Sequence, residues 1–211
     1  KNAFYQHPLC YHSETGRYGN GSQASFGCAI YSGLVPEEKL QSAVDALVEA
    51  VRAKDYHLTS GEVGLKQVFT ALAEHGRNDV VCRMVMNETS PSYRYFAERG
   101  FTTLPEYWNP EELWYGCVRS RNHAMMGHVK EWLTYYVLGI RPVSPGFREV
   151  DIQPYIPEGI HELKGSFVCP YGKIQMEYQE KEGKADIKVT LPPGVSVRRK
   201  IFPVINHSIF R

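Results

Sequence analysis

The stretch RNHAMMGHVKEWLTYYVLGIRP, residues 121–142, is where the chain changes character. Met125, Val129, Trp132, Leu133 and Tyr136 recur at intervals of three and four, so the spacing predicts a helix from about Arg121 to Leu138 with those side chains inward. Gly139 and Pro142 then stop it, since glycine relaxes the backbone and proline cannot continue a helix.

Upstream of this stretch the helical period dominates. Pro36 opens a helix at its first position, Glu37 and Glu38 complement the positive end of its dipole, and Leu40, Val44, Leu47, Val48 and Val51 share one face. Leu65, Val68, Phe69 and Leu72 form a second stripe closed by Gly76, and Asn78 caps a third helix carrying Val81, Met84 and Val85. Ser90-Pro91 starts a short fourth helix ended by Gly100, and Ser22 to Ser32 is also expected to be helical. Downstream of residue 145 the period shortens towards two. Strands are expected at Val150–Ile152, Gly165–Val168, Lys173–Tyr178, Ala185–Leu191 and Val195–Ile201, with turns at Glu182-Gly183-Lys184 and Pro192-Pro193-Gly194. The pattern is α + β in two units, about six helices followed by a small antiparallel sheet, divided as 1–143 and 144–211.

The 211 residues carry 24 Lys+Arg against 23 Asp+Glu, a net charge of +1. A polyanion partner leaves a basic excess or stripe, so nucleic acid is not expected as a partner. No apolar run approaches the ~18–20 residues of a membrane span, so no membrane association is expected either. The five cysteines include no Cys-x-x-Cys pair, which speaks against a zinc ribbon and favours buried free thiols. His123 and His128, about 140° apart on a helix, cannot share a metal, and there is no phosphate loop, dinucleotide fingerprint or Gly-x-Ser-x-Gly. Neither a metal nor a cofactor is called for.

Aromatic residues are concentrated. Of 26 in the chain, 11 fall in residues 92–136, where an even spread would place about 5.5. Rings beside polar loops suit a sugar, whose C–H faces pack on them while its hydroxyls need polar partners. Trp132 and Tyr136 lie on the helix stripe and belong to a core; Trp108 and Trp114 lie in irregular sequence, where binding and packing are equally good readings. Glu106 sits in an irregular segment beside Tyr107 and Trp108, where partial desolvation suits a carboxylate to proton transfer. Glu62 is a second loop carboxylate, whereas Glu111 and Glu112 read as the solvated first turn of a short helix.

Several short motifs, each weak alone, occur in an order that resembles glycoside hydrolase family 78, the α-L-rhamnosidases. They are Tyr18-Gly19-x-Gly21-Ser22-Gln23, His57-Leu58-Thr59-Ser60-Gly61, Gly76-Arg77-x-Asp79, Pro91-Ser92 and Gly100-x-Thr102-Thr103-x-x-Glu106. Ser120-x-Asn122-His123, Glu131-Trp132-Leu133 and Gly139-Ile140-Arg141-Pro142 complete the series. The resemblance implies the second half of an (α/α)6 six-hairpin barrel followed by a β-sandwich or jelly-roll-like domain. It implies an inverting hydrolase that removes terminal α-L-rhamnose, with Glu106 as general base and His123 and Trp108 near the sugar. The candidate sugar-contacting set is His123, Trp108, Tyr107, His57, Glu62 and Trp114. Pro105 stands where the family usually has a tryptophan, which leaves a six-hairpin glycosidase of other sugar specificity open.

The family's general acid lies in an upstream acidic, arginine-containing motif that these 211 residues do not contain. The resemblance therefore implies a C-terminal portion that is inactive alone and self-associates through an exposed half-barrel surface. A non-catalytic helical module that binds carbohydrate or a partner chain is the competing reading.

Overall fold

The computed structural model describes residues 2–110, 116, 117 and 119–201. Trp114, with Glu111 and Glu112, lies outside the described residues. Chain contacts divide the protein into Lys1–Val129 and Lys130–Arg211.

The first unit is helical. A short α1 (Asn2–Gln6) and a two-residue ribbon, β1 (Tyr11–His12) against β2 (Arg17–Tyr18), precede α2 (Gln23–Tyr31), α3 (Glu37–Arg52), α4 (Glu62–Glu74), α5 (Asn78–Val85) and α6 (Tyr93–Glu98). Ser22 caps α2 by accepting a hydrogen bond from the Ser25 N–H, and Ser92 caps α6 by accepting from Tyr95 N–H. The expected stripes are in the core: Val44, Leu47, Val48 and Val51 on α3, and Leu65, Val68, Phe69 and Leu72 on α4, are all buried. Each such side chain is worth ~1.5–3 kcal/mol for leaving water. Two starts differ from expectation. Pro36 is the residue before α3 in extended conformation, not its first helical residue, and Asn78 is the first residue of α5 with Arg77 at its cap.

Helices α2 and α4 pack with their backbones close together. A Cβ added at Gly27 would lie 2.9 Å from the Val68 backbone, and one at Gly64 would lie 2.7 Å from the Ala24 Cβ. Only glycine fits at these two points, and the crossing holds the N-terminal ends of both helices near one loop, residues 57–61. Gln23, almost wholly buried at the start of α2, grips that loop from both amide atoms: its Nε2 donates to His57 O at 3.0 Å and its Oε1 accepts from Thr59 N–H at 3.2 Å.

The stretch at 121–142 departs most from expectation. In place of one α-helix it forms a 3₁₀ segment (Ala124–His128), a single α turn, α7 (Val129–Trp132), and a π segment (Leu133–Val137). The turn per residue changes from ~120° to ~100° to less as the helix type changes, so a constant stripe cannot stay on one face. Met126, Trp132, Thr134, Tyr136 and Val137 are buried, while Met125 and Leu133, expected inward, are exposed.

The second unit contains two three-stranded sheets. One is the meander β5 (Glu162–Cys169), β6 (Gly172–Lys181) and β7 (Lys184–Thr190), antiparallel throughout. Its β6–β7 connection is the two-residue turn Glu182-Gly183, both at positive φ, as the strand twist of a tight hairpin requires. Alternation puts Ile174, Met176 and Tyr178 of β6 into a core with Ile140, Val150, Ile152 and Cys169. The other sheet corrects the expectation of antiparallel pairing alone. In the order β3 (Ile140–Pro142), β4 (Glu149–Ile152), β8 (Ser196–Lys200), β3 and β4 are antiparallel but β4 and β8 are parallel. Strand β8 reaches its partner only after the whole meander, and a period of two says nothing about direction. The cysteines are free as expected, but only Cys169 is buried and Cys117 is exposed.

Asp151 on β4 is buried and bound by two guanidinium groups: Arg198 Nε and Nη2 donate to its two oxygens at 3.0 and 2.6 Å, and Arg199 Nη2 donates at 3.0 Å. Arg198 above all holds the Asp151 carboxyl down to about 2, well below the usual carboxylate range. The folded value lies below the unfolded one, so this contribution is complete above about pH 4 and is lost as pH falls towards 2. With both arginines half exposed to screening solvent, it amounts to on the order of 1–2 kcal/mol. Thermal melts between pH 2 and 5 should show the wild type losing that increment and Asp151→Asn lacking it throughout; equal pH slopes for the two would contradict the assignment.

Candidate active site

The site is built from three parts of the first unit. Loop 57–61 leads into α4, whose first residue is Glu62. The positive end of the α4 dipole favours a carboxylate there, so Glu62 is a helix N-terminal residue and not the loop residue expected from sequence. Gly100, at positive φ, follows α6 and releases the irregular segment 101–110 that carries Glu106. The third part, residues 119–123, runs alongside this segment and is hydrogen-bonded to it. His123 N–H donates to Leu104 O at 2.8 Å, Glu106 N–H donates to Ser120 O at 2.9 Å, and Thr103 Oγ1 donates to Arg121 O at 2.6 Å.

These parts, with Met126, line an open cavity of about 400 Å³. Glu62 and Glu106 both line it, and Tyr107, Trp108 and Arg119 form other walls. Glu106 is held at both carboxylate oxygens: Oε2 accepts from Ser120 N–H at 3.3 Å, and Oε1 stands 3.7 Å from Arg119 Nη1. The Arg119 guanidinium also lies 3.5 Å above the Tyr107 ring centroid, a cation–π contact that keeps its charge at the cavity wall. Glu62 meets His123, whose Nε2 lies 2.5 Å from Oε2 of the carboxylate. The pair is in contact but not aligned as a hydrogen bond, and both atoms are buried with no other hydrogen-bond partner among the described residues.

Trp108 serves packing and cavity together. Its Nε1 donates to Ser60 O at 2.7 Å, its ring stacks on Phe96 at 6.0 Å and meets Tyr93 edge-on at 5.5 Å, and it also forms cavity wall. Tyr93 in turn donates its phenol hydrogen to Met126 O at 2.6 Å, and burial pushes that phenol above its usual range. His57 is engaged elsewhere, with Nδ1 2.8 Å from Lys54 O and Nε2 2.8 Å from Thr89 Oγ1. Thus Glu62, Glu106, Tyr107, Trp108 and His123 come together, His57 has both ring nitrogens occupied outside the cavity, and Trp114 is outside the described residues.

Arg119 was not singled out from sequence, although it directly precedes the Ser120-x-Asn122-His123 motif. Gln23 was visible only as a member of a motif; its role in holding loop 57–61 depends on partners 34 and 36 residues away.

The first unit thus brings Glu62 and Glu106 to one cavity with Tyr107 and Trp108, and a β unit follows it. Residues 1–137 match the bacterial α-L-rhamnosidase six-hairpin glycosidase domain, and residues 139–201 match the bacterial α-L-rhamnosidase C-terminal domain. The chain belongs to the bacterial α-L-rhamnosidase family. It is 29% identical over 195 residues to an α-L-rhamnosidase of an Alteromonas species, covering 90% of this chain and 21% of that protein. Among solved structures it is similar to the Streptomyces avermitilis α-L-rhamnosidase complexed with L-rhamnose, with a TM-score of 0.82, 27% identity, and coverage of 91% of this chain and 19% of the other. The α-L-rhamnosidase of Dictyoglumus thermophilum gives a TM-score of 0.80 at 27% identity, covering 94% and 22% respectively. The chain spans about a fifth of the length of the curated relatives it matches.

Proposed function

We propose that this chain supplies the base-carrying, sugar-binding part of an inverting glycoside hydrolase that removes terminal α-L-rhamnose. The observation that carries the reading is the cavity in which Glu62 and Glu106 face one space walled by Tyr107 and Trp108. Glu106 is the general base. Its carboxylate is oriented by the Ser120 N–H and the Arg119 guanidinium, so one oxygen can take a proton from a water held against the sugar. Tyr107 and Trp108 offer ring surface to the C–H face of the sugar, and Glu62 accepts from its hydroxyls. His123 belongs to the same site. We place the helices in the second half of an (α/α)6 barrel and the two sheets in a β-sandwich. L-Rhamnose added to the chain should quench or shift tryptophan fluorescence saturably, and Glu106→Gln should retain that binding. No response to L-rhamnose, with a response to another monosaccharide, would transfer the site to a different sugar.

Inverting hydrolysis needs two carboxyl groups roughly 6.5–9.5 Å apart acting on opposite sides of the bond. Glu62 has one oxygen buried against His123, and the acidic, arginine-containing motif of the family is not among the 211 residues. The chain by itself is therefore expected not to hydrolyse aryl α-L-rhamnosides. Turnover abolished by Glu106→Gln or by Glu62→Gln would show that the cavity already holds both groups.

We also propose self-association through apolar side chains that the helical unit leaves exposed, Val63 and Met125 among them. Light scattering should show mass rising with concentration; a monomer over the whole range would rule this out.

A further inference from the structure

We propose that His57 is a positioning residue: with Thr89 and Asn87 it forms a clasp outside the cavity that holds loop 57–61, and through it Glu62 and Trp108, at the cavity wall. The ring is committed at both nitrogens. Lys54 O lies 2.8 Å from Nδ1, and a carbonyl oxygen can only accept, so Nδ1 carries a hydrogen. At Nε2 the partner is Thr89 Oγ1, also at 2.8 Å, a hydroxyl that can give or take. Thr89 is fixed in turn by Asn87, whose Oδ1 accepts from the Thr89 N–H at 3.1 Å and stands 2.9 Å from its hydroxyl. The other amide atom of Asn87, Nδ2, donates to Asp55 O at 2.8 Å. A donor facing one atom and an acceptor facing the other settle which way the amide points.

The clasp acts on a piece of chain whose backbone is strained. Asp55 and Tyr56 are non-glycine residues at φ 50° and 60°, in the left-handed region. Such backbone persists where its surroundings over-determine it. Here the surroundings are the end of α5 and the segment after it. Asn87 holds Asp55 O, Arg83 Nη1 donates to the Tyr56 hydroxyl at 3.1 Å, Thr89 holds His57, and Pro91 O accepts from Leu58 N–H at 3.3 Å. Gln23 grips the same chain at His57 O and Thr59 N–H, so α2 and the segment after α5 hold it together. Two residues further on the loop reaches the cavity: Thr59, Gly61 and Glu62 line it, and Ser60 O accepts from the Trp108 indole at 2.7 Å. Releasing His57 from Thr89 therefore shifts a wall of the cavity without removing a group from it. A ring whose nitrogens face Lys54 and Thr89 offers neither to a sugar hydroxyl, so positioning takes the place of the sugar contact expected from sequence.

Two measurements on the whole 211-residue chain test this. The first is independent of the rhamnosidase reading. Long-range ¹H–¹⁵N spectra should show the His57 ring protonated at Nδ1. His57→Ala and Thr89→Val should each move the Trp108 indole N–H resonance, assigned with Trp108→Phe, because the Ser60 carbonyl moves. His57→Gln, whose amide can reach Thr89 as Nε2 does, should return the resonance most of the way. Thr89→Val keeps the residue's shape and breaks the link from the other side, so it decides the matter even if His57→Ala does not fold. An Nδ1 without its hydrogen, or an indole indifferent to Thr89→Val, would overturn the proposal. The second measurement rests on the rhamnosidase reading and uses L-rhamnose as the probe in a double-mutant cycle. His57→Ala and Thr89→Val should each weaken binding about three- to tenfold, the order expected for losing one hydrogen bond. Together they should cost no more than either alone. A loss with His57→Ala that Thr89→Val does not share would make the imidazole itself a sugar ligand and overturn the proposal. If L-rhamnose does not bind the wild type, the sugar reading fails while the ring and indole spectra still decide the clasp.

Discussion

With Glu106 as the proposed base, Glu106→Gln in an active α-L-rhamnosidase carrying these residues should lower kcat by at least about a hundredfold and leave KM within a few-fold. The amide keeps the size of the carboxylate and can still accept from the Ser120 N–H, but it cannot take a proton from water. General-base assistance is typically worth ~10²–10⁴-fold, or about 3–5 kcal/mol of transition-state stabilisation. Steady-state kinetics with an activated aryl rhamnoside reads both parameters. Near-normal kcat would place the base elsewhere, and Glu62, the other carboxylate on the cavity wall, would be the next candidate.

The second large effect is expected in the β unit. Gly139, between the π segment and β3, has φ +70°, and a Cβ there would lie 2.2 Å from both Gln153 C and Pro154 N. Those atoms are backbone and cannot swing aside as a side chain can. The same backbone accepts and donates, since Gln153 N–H bonds to Gly139 O at 3.0 Å and closes the end of the β3–β4 pair. Gly139→Ala therefore combines left-handed strain of ~1–3 kcal/mol with a collision of the overpacking kind, another ~1–3 kcal/mol or more. A loss of roughly 3–5 kcal/mol should lower the thermal midpoint by well over 10 °C and remove the β-sheet signal first. An unchanged melt would mean that the close approach of Gly139 to Gln153 does not exist in solution.

Much of the fold is legible locally. The apolar spacing on α3 and α4 identifies Val44 to Val51 and Leu65 to Leu72 as core because a helix must turn one face inward whatever it packs against. Ser22 marks a helix start because an orphan N–H must be met within a few residues, whereas α6 starts after Ser92, two residues beyond the expected Ser90; Glu182-Gly183 marks a hairpin, with both residues at positive φ. Glu106 is legible as a carboxylate in irregular chain beside rings, and the ordered motifs place it in a family.

The sequence by itself determined which side chains turn inward, where most elements begin and end, and which carboxylates and rings were available for chemistry. Only the tertiary structure decided that Glu62 opens α4 and meets His123 from 61 residues away, that Arg119 lies over Tyr107, that His57 is taken up by Lys54 and Thr89, and that β8 runs parallel to β4. It also decided the passage from 3₁₀ to π geometry across residues 124–137, which leaves Met125 and Leu133 in solvent. The physical reason is the same in each case. Periodicity and capping are satisfied within a turn or two of chain, whereas a partner, a strand direction or a change of helical pitch is set by whichever distant surface the element must fit.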